Sequence, residues 1–384
     1  MTEHRPRARD LGIVLGDQPT GSFNAITDVA GVRVGHTTLI EGPSSFIPGM
    51  GPVRTGVTVV MPHDEPWHHP VYAGAHRLNG NGELTGLEWI RESGMLSSYI
   101  GLTNTHSVGV VRDALVAYEA LRREPDELFF SLPVVGETWD GILNDINGFH
   151  VTREHVFAAI DSAASGPVAE GSVGGGTGMI CHGFKGGIGS SSRVVNIGGE
   201  QFTVGVLVQA NHGARARLRV DGVPIGELHR QEFGPEPNEF EGPPPGTGSI
   251  IVIVATDAPL LPGQCRRLAQ RAGLGIARVG GAGENGSGDI FLCFSTGAGE
   301  IPPDFERDQS HVVAQVRTLS NEHIDELFYA TIAATEESIV NAMLASDTMV
   351  GARGTREGLP TDWLIEKLHL YSTPAYERGR RDRP

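Results

Sequence analysis

Gly242-Pro243-Pro244-Pro245-Gly246-Thr247-Gly248-Ser249-Ile250-Ile251-Val252-Ile253-Val254-Ala255 is the stretch on which the reading of this chain turns. The unbroken apolar, mostly β-branched run after Ser249 lacks the polar alternation of a half-exposed strand, so it reads as a strand covered on both faces. That places it at the centre of a layered α/β structure. Ser249 itself carries two readings. It is either the first residue of a buried strand after a Pro/Gly turn, or a nucleophile released by scission of the Gly248-Ser249 bond. In the second case one residue holds both a hydroxyl and a free α-amine of reference pKa about 7.7–8.0, a known way of activating a weak nucleophile. Gly248 favours that reading, because a residue without Cβ lets a hydroxyl approach its carbonyl.

Outward from this junction, Gly234 to Gly248 is the one linker-like segment, rich in proline, glycine and acid. Because the part that follows begins with a core strand, a cut there leaves two interleaved chains of one fold, 1–248 and 249–384, rather than two domains. Other strand-like runs are Gly12 to Leu15, Val32 to Ile40, Gly56 to Met61, Arg193 to Ile197, Thr203 to Gln209 and Ile290 to Phe294. Helical stripes occupy Ser107 to Arg123, the segment after Thr152 as cap, Asp257 to Arg271, Asn321 to Leu344 and a last helix from Thr361. The mixture predicts an α+β layered domain.

Composition narrows the function. The 384 residues are 39% hydrophobic and 20% charged, the balance of a soluble globular protein, and no apolar run is long enough for a membrane helix. No apolar h-region follows the N-terminal arginines, so a cytoplasmic location is expected. A formal net charge of -16 argues against nucleic acid or an anionic membrane as partner. Cys181, Cys265 and Cys293 are odd in number and far apart, with no CxxC pair, and read as small buried hydrophobes. His63, His68, His69 and His76 cluster, but Pro66 and Pro70 break any helix through them and no zinc spacing results. They read mostly as loop and surface residues, and no metal or other cofactor is expected.

Two glycine clusters remain. Gly171-Ser172-Val173-Gly174-Gly175-Gly176-Thr177-Gly178 lacks the GK[ST] of a phosphate loop. It can supply unobstructed N–H groups to an oxyanion or substrate carbonyl, or be a tightly packed strand. Gly280 to Asp289 puts a hydroxyl, Ser287, and a carboxylate, Asp289, two residues apart, hence on one face of an extended segment.

Asn24 to His36, Asn79-Gly80-Asn81-Gly82-Glu83-Leu84-Thr85-Gly86, Leu102-Thr103-Asn104-Thr105-His106, Gly174 to Gly178 and Ser249 to Pro259 together resemble the DmpA-type aminopeptidases, over about residues 9 to 360. The resemblance implies a four-layer αββα sandwich, self-cleavage between Gly248 and Ser249, and a homo-oligomer, in that family a tetramer. It implies Ser249 as nucleophile, Asn211 as oxyanion donor with N–H groups of Gly174, Gly175 and Gly176, Ser287 and Asp289 as support for the nucleophile, and Glu137 as acceptor of the substrate's amino group. Substrates are then short peptides, amides or esters with a free amine. Two positions depart from the family. Trp139 stands where relatives have tyrosine or asparagine, and its indole N–H can only donate; Asp289 replaces a longer glutamate. Two alternatives share parts of the pattern: an acyltransferase of the ornithine acetyltransferase type, and an uncut, non-catalytic ligand-binding relative.

Overall fold

The computed structural model describes residues 5–234, 246–302 and 313–381. In chain order the strands are β1 (Arg33–Glu41), β2 (Val53–Met61), β3 (Val71–Gly80), β4 (Met95–Leu96), β5 (Ile100–Asn104), β6 (Val134–Thr138), β7 (Ile180–Cys181), β8 (Phe184–Lys185), β9 (Gly187–Ile197), β10 (Glu200–Gly213), β11 (Gly246–Thr256), β12 (Gly288–Ser295), β13 (Met349–Gly351) and β14 (Gly354–Arg356). The helices are α1 (Leu87–Ser93), α2 (Val108–Ala120), α3 (Arg153–Asp161), α4 (Ile225–Phe233), α5 (Pro262–Arg278), α6 (Asp325–Leu344) and α7 (Thr361–Arg381).

β11 explains the architecture. Its side chains alternate between two cores, because successive Cβ atoms of a strand point to opposite faces. Ile250, Val252 and Val254 join a core that includes Leu268, Ala272, Ile339 and Met343 of α5 and α6. Ile251, Ile253 and Ala255 face Val60, Ile100, Leu102 and Val134 of the other sheet. A third core, with Val57, Val59, Val111, Leu115, Val156 and Ile160, lies between that sheet and the helices α2 and α3. The layers are therefore helix, sheet, sheet, helix. The six-stranded sheet runs β4-β3-β12-β11-β10-β9 and the four-stranded sheet β1-β2-β5-β6. Every side chain from Ile250 to Ala255 is completely buried, and truncating any one of these Ile or Val residues to alanine should cost about 2–5 kcal/mol.

β11 lies between antiparallel β10 and parallel β12. The parallel pairing requires a crossover, and α5 supplies it on the outer face of the sheet. A buried ion network ties the chain's start to α6. Arg193 donates to Glu337 at 2.7 Å with both side chains fully buried, while Arg9 reaches Glu337 at 3.1 Å.

Three local expectations change. Gly12 to Leu15 is not a strand: Ile13 and Leu15 are buried and Val14 exposed, as in a strand, but Ile13 N bonds to Ala8 O within a turn and no ladder forms. The helix expected from Asp257 starts at Pro262, whose missing N–H suits the first helical turn; Asp257 instead accepts from Thr203 N at 2.7 Å. His76 lies on β3, a strand that the histidines and prolines concealed. Most of the linker-like segment from Gly234 to Gly248 lies outside the described residues.

Candidate active site

The site forms where the ends of β10, β11 and β12 meet. Register sets Asn211 of β10 and Gly288 of β12 on either side of Ser249. Gly288 N donates to Ser249 Oγ at 3.1 Å, fixing the hydroxyl of a residue that is only 5% exposed. The glycine before it is required by space: a Cβ on Gly248 would stand 2.0 Å from Asn211 O. Close packing across the ladder, rather than an unusual φ, thus selects glycine at this junction.

Asn211 is held at both ends of its amide. Its Oδ1 accepts from Ile180 N at 2.7 Å and its Nδ2 donates to Trp139 O at 3.0 Å. An amide nitrogen carries two N–H groups, so one remains for a further acceptor. Ser287 Oγ donates to Asp289 Oδ1 at 2.7 Å, and Asp289 N is tied to Asn79 Oδ1 at 2.9 Å. Burial pushes the Asp289 carboxyl up to about 6, against the opposing effect of hydrogen bonds from Ser287 and the Ile250 backbone.

Glu137, on β6, comes from the other sheet. Its Oε1 accepts from Glu83 N at 2.9 Å and its Oε2 from Thr105 Oγ1. Burial raises its pKa, the Thr105 and Glu83 donors oppose that rise, and the neighbouring Glu83 carboxylate adds to it. A buried carboxylate with two of its acceptor positions filled still has lone pairs to offer a cation.

Ser249 and Glu137 share a cavity of about 560 Å³ lined also by Gly248, Trp139, Thr105, Glu83, Asn81, Gly82 and Gly286. Of the residues singled out in the sequence, Gly248, Ser249, Glu137 and Trp139 line it. Asn211 is the cross-strand partner of Ser249, and Ser287 and Asp289 flank Gly288. Trp139 lines the cavity and gives its carbonyl to Asn211.

The glycine run is a correction. Gly174 N donates to Thr38 Oγ1, Gly175 N to Thr58 Oγ1 and Gly176 N to Val173 O, at 2.9, 3.1 and 2.9 Å. Their N–H groups are spent, and all three glycines are buried between strands: a Cβ on Gly175 would meet Gln209 Oε1 at 2.1 Å and Leu102 O at 2.6 Å. The run permits close packing of the two sheets and gives no donor to the cavity. Thr105 and Glu83 are the residues that the sequence reading passed over. Both lie in motifs that carried the resemblance, yet Glu83 acts through its backbone N–H, which no residue type announces.

A cavity with a fixed serine hydroxyl and a buried carboxylate in its walls, and an anchored amide across the ladder from that serine, has the parts that acyl transfer requires. Residues 24–357 match peptidase family S58. The chain belongs to peptidase family S58. Among its S58 relatives is the beta-peptidyl aminopeptidase BapA of Sphingosinicella microcystinivorans, 51% identical over 374 residues, which are 95% of this chain and 92% of the relative. The protein of the same name from Sphingosinicella xenopeptidilytica is 46% identical, covering 94% and 90%. Among solved structures, a Burkholderia sp. beta-aminopeptidase superposes with a TM-score of 0.86 at 50% identity, covering 95% of this chain and 99% of that one. The L-aminopeptidase D-Ala-esterase/amidase of Ochrobactrum anthropi, described as a variant among the Ntn hydrolase fold, gives 0.87 at 45% identity, covering 96% and 99%. The S58 chain is thus a hydrolase with aminopeptidase function and an Ntn-type layered fold. Among the described residues no helix is long and apolar enough to cross a membrane.

Proposed function

We propose that this S58 aminopeptidase matures by cutting its own Gly248-Ser249 bond and then works through an acyl-enzyme on Ser249. In the first stage Ser249 Oγ attacks the Gly248 carbonyl, and the hydroxyl proton ends on the departing amide nitrogen. That step frees the Ser249 α-amine, and the resulting ester takes up water, giving a Gly248 carboxylate and restoring the Ser249 hydroxyl. That amine then serves as base for the same hydroxyl on substrate. Asn211, through its second N–H, stabilises the oxyanion in both stages.

The observation that carries this reading is the presence of the Gly248-Ser249 bond and the buried Glu137 carboxylate in the walls of one cavity. Glu137 receives the substrate ammonium, which confines the enzyme to free N-termini of short peptides, amides and esters. The names of the Sphingosinicella relatives extend this to an N-terminal β-amino acid. Ser287 and Asp289 support the nucleophile, Trp139 shapes the acyl pocket, and the enzyme assembles as a cytoplasmic homo-oligomer that needs no cofactor. The test is the mass and N-terminal sequence of the purified protein, followed by rates on β-alanyl, L-alanyl and D-alanyl p-nitroanilides. A second chain beginning at Ser249 and hydrolysis of the β-alanyl substrate are expected; a single uncut yet active chain would overturn the proposal.

A further inference from the structure

Behind Asn211, on the side away from the cavity, Cys181, His182 and His212 come together. Each offers one ligand atom, and these atoms all lie within 4.8 Å of one another among three buried residues. Cys181 and His182 are consecutive, and they meet the distant His212 because β7 packs against the end of β10. His182 N donates to His212 O at 2.7 Å. Cys181 Sγ stands 3.8 Å from His212 Nδ1, and the two imidazoles are 5.2 Å apart at 70°.

The rings are prepared for more than packing. His182 Nδ1 lies 3.1 Å from Ala214 O, an atom that only accepts, so Nδ1 carries the proton and Nε2 presents a lone pair. That Nε2 is buried without a hydrogen-bond partner, and so is His212 Nε2. In His182, a carbonyl on one ring nitrogen with the other nitrogen open is the outer-shell arrangement that orients metal-bound histidines, while His212 turns its Nδ1 toward Cys181 Sγ. The backbone is shaped to hold it: His182 sits at φ 48°, a region that a side chain with Cβ rarely takes. Gly213 faces the ring where a Cβ would come within 2.3 Å.

We propose that Cys181, His182 and His212 form a buried site for one Cu(I) ion. A thiolate with two imidazoles is a soft, three-coordinate set of the kind that copper occupies. Charge selects the oxidation state. The set supplies one negative charge, so a monovalent ion gives a neutral complex, which a dry interior tolerates. A divalent ion leaves a net positive charge beside Lys185, a fully buried neighbour of Cys181 whose Nζ donates to Gly186 O at 2.7 Å. Binding replaces the Cys181 S–H bond with a sulfur–copper bond and releases one proton to solvent, with no change of oxidation state. The ion joins β7 to β10 next to Ile180 and Asn211, the pair whose hydrogen bond anchors the oxyanion donor.

The test is anaerobic titration of the full-length protein with Cu(I) buffered by bicinchoninate, with X-ray absorption at the copper edge on the wild type. One retained ion per chain, one proton released, one sulfur with two imidazole nitrogens around copper, and a raised Tm are expected. Cys265→Ala/Cys293→Ala should retain the ion, and Cys181→Ser should lose it. No copper held against bicinchoninate, a shell with two sulfurs, retention in Cys181→Ser, or displacement by equimolar Zn(II) would overturn the assignment. The absorption measurement needs no variant, so a misfolded substitution cannot mask the answer.

Discussion

Asn211 lies directly across the β10–β11 ladder from Ser249, with its side-chain amide already fastened at Oδ1 by Ile180 N and at Nδ2 by Trp139 O. A donor fixed before substrate arrives costs no reorganisation when charge develops, which is the condition for strong oxyanion stabilisation. Asn211→Ala should therefore lower kcat by about 10²–10³ with a smaller change in KM. It should also destabilise the fold by about 1–3 kcal/mol, since the half-buried Ile180 N loses its acceptor. Steady-state kinetics beside a urea titration separates the two effects, and an unchanged kcat would remove Asn211 from the oxyanion site.

Ser249→Ala should leave the chain whole and reduce amide hydrolysis by roughly 10⁴–10⁶, the range seen when a serine nucleophile is removed. A denaturing gel and intact mass report processing independently of activity. Gly248→Ala isolates the role of the junction. Its Cβ would clash with Asn211 O, so the ladder must open there, and self-cleavage should slow even though Ser249 is untouched.

Glu137→Gln keeps the shape of the side chain and its acceptor for Glu83 N while removing the charge. If a substrate ammonium is held there, loss of the charged partner from a buried pair corresponds to about 3–5 kcal/mol. The kcat/KM for a free amino acid p-nitroanilide should fall by roughly two to four orders of magnitude. The N-acetylated compound, already a poor substrate, should change little. An equal loss on both compounds would mean that Glu137 shapes the pocket without reading the amine.

How much of this site is legible in the sequence depends on which atoms do the work. Ser249 is readable because a polar residue opens a doubly buried strand, and the alternation of Ile250 to Ala255 between two cores follows from the same run. Gly174 to Gly176 illustrates the limit. Glycines announce that something approaches the backbone, but not whether it is a substrate or the hydroxyls of Thr38 and Thr58. The Cys181, His182 and His212 cluster gives no spacing signal, since β7 and the end of β10 create it only in three dimensions. β3 was hidden because His76 and the preceding prolines look like a loop, while its pairing with β12 is a long-range fact.

Asp289 gives a prediction in pH. The residue is 2% exposed, and burial pushes its carboxyl up to about 6 from the 3.8 of an unburied aspartate. The folded protein therefore holds this proton more tightly than the unfolded chain. The corresponding stability is fully present below about pH 4 and is lost as pH rises through 6, amounting to about 3 kcal/mol at most. Activity should move the other way. The hydrogen bond from Ser287 Oγ to Asp289 Oδ1 is strengthened when the acceptor is ionised, so kcat should rise across the same interval. Asp289→Asn is expected to remove this contribution, seen as a urea midpoint that falls less steeply between pH 4 and 7 than in the wild type, with buried Asp140 and Glu170, both raised to about 7, still contributing, and to abolish the limb of the kcat profile near 6. Asp289→Glu, with its longer reach, should restore an acidic limb. If the wild-type and Asp289→Asn profiles coincide in both measurements, the Ser287–Asp289 pair does not govern the nucleophile.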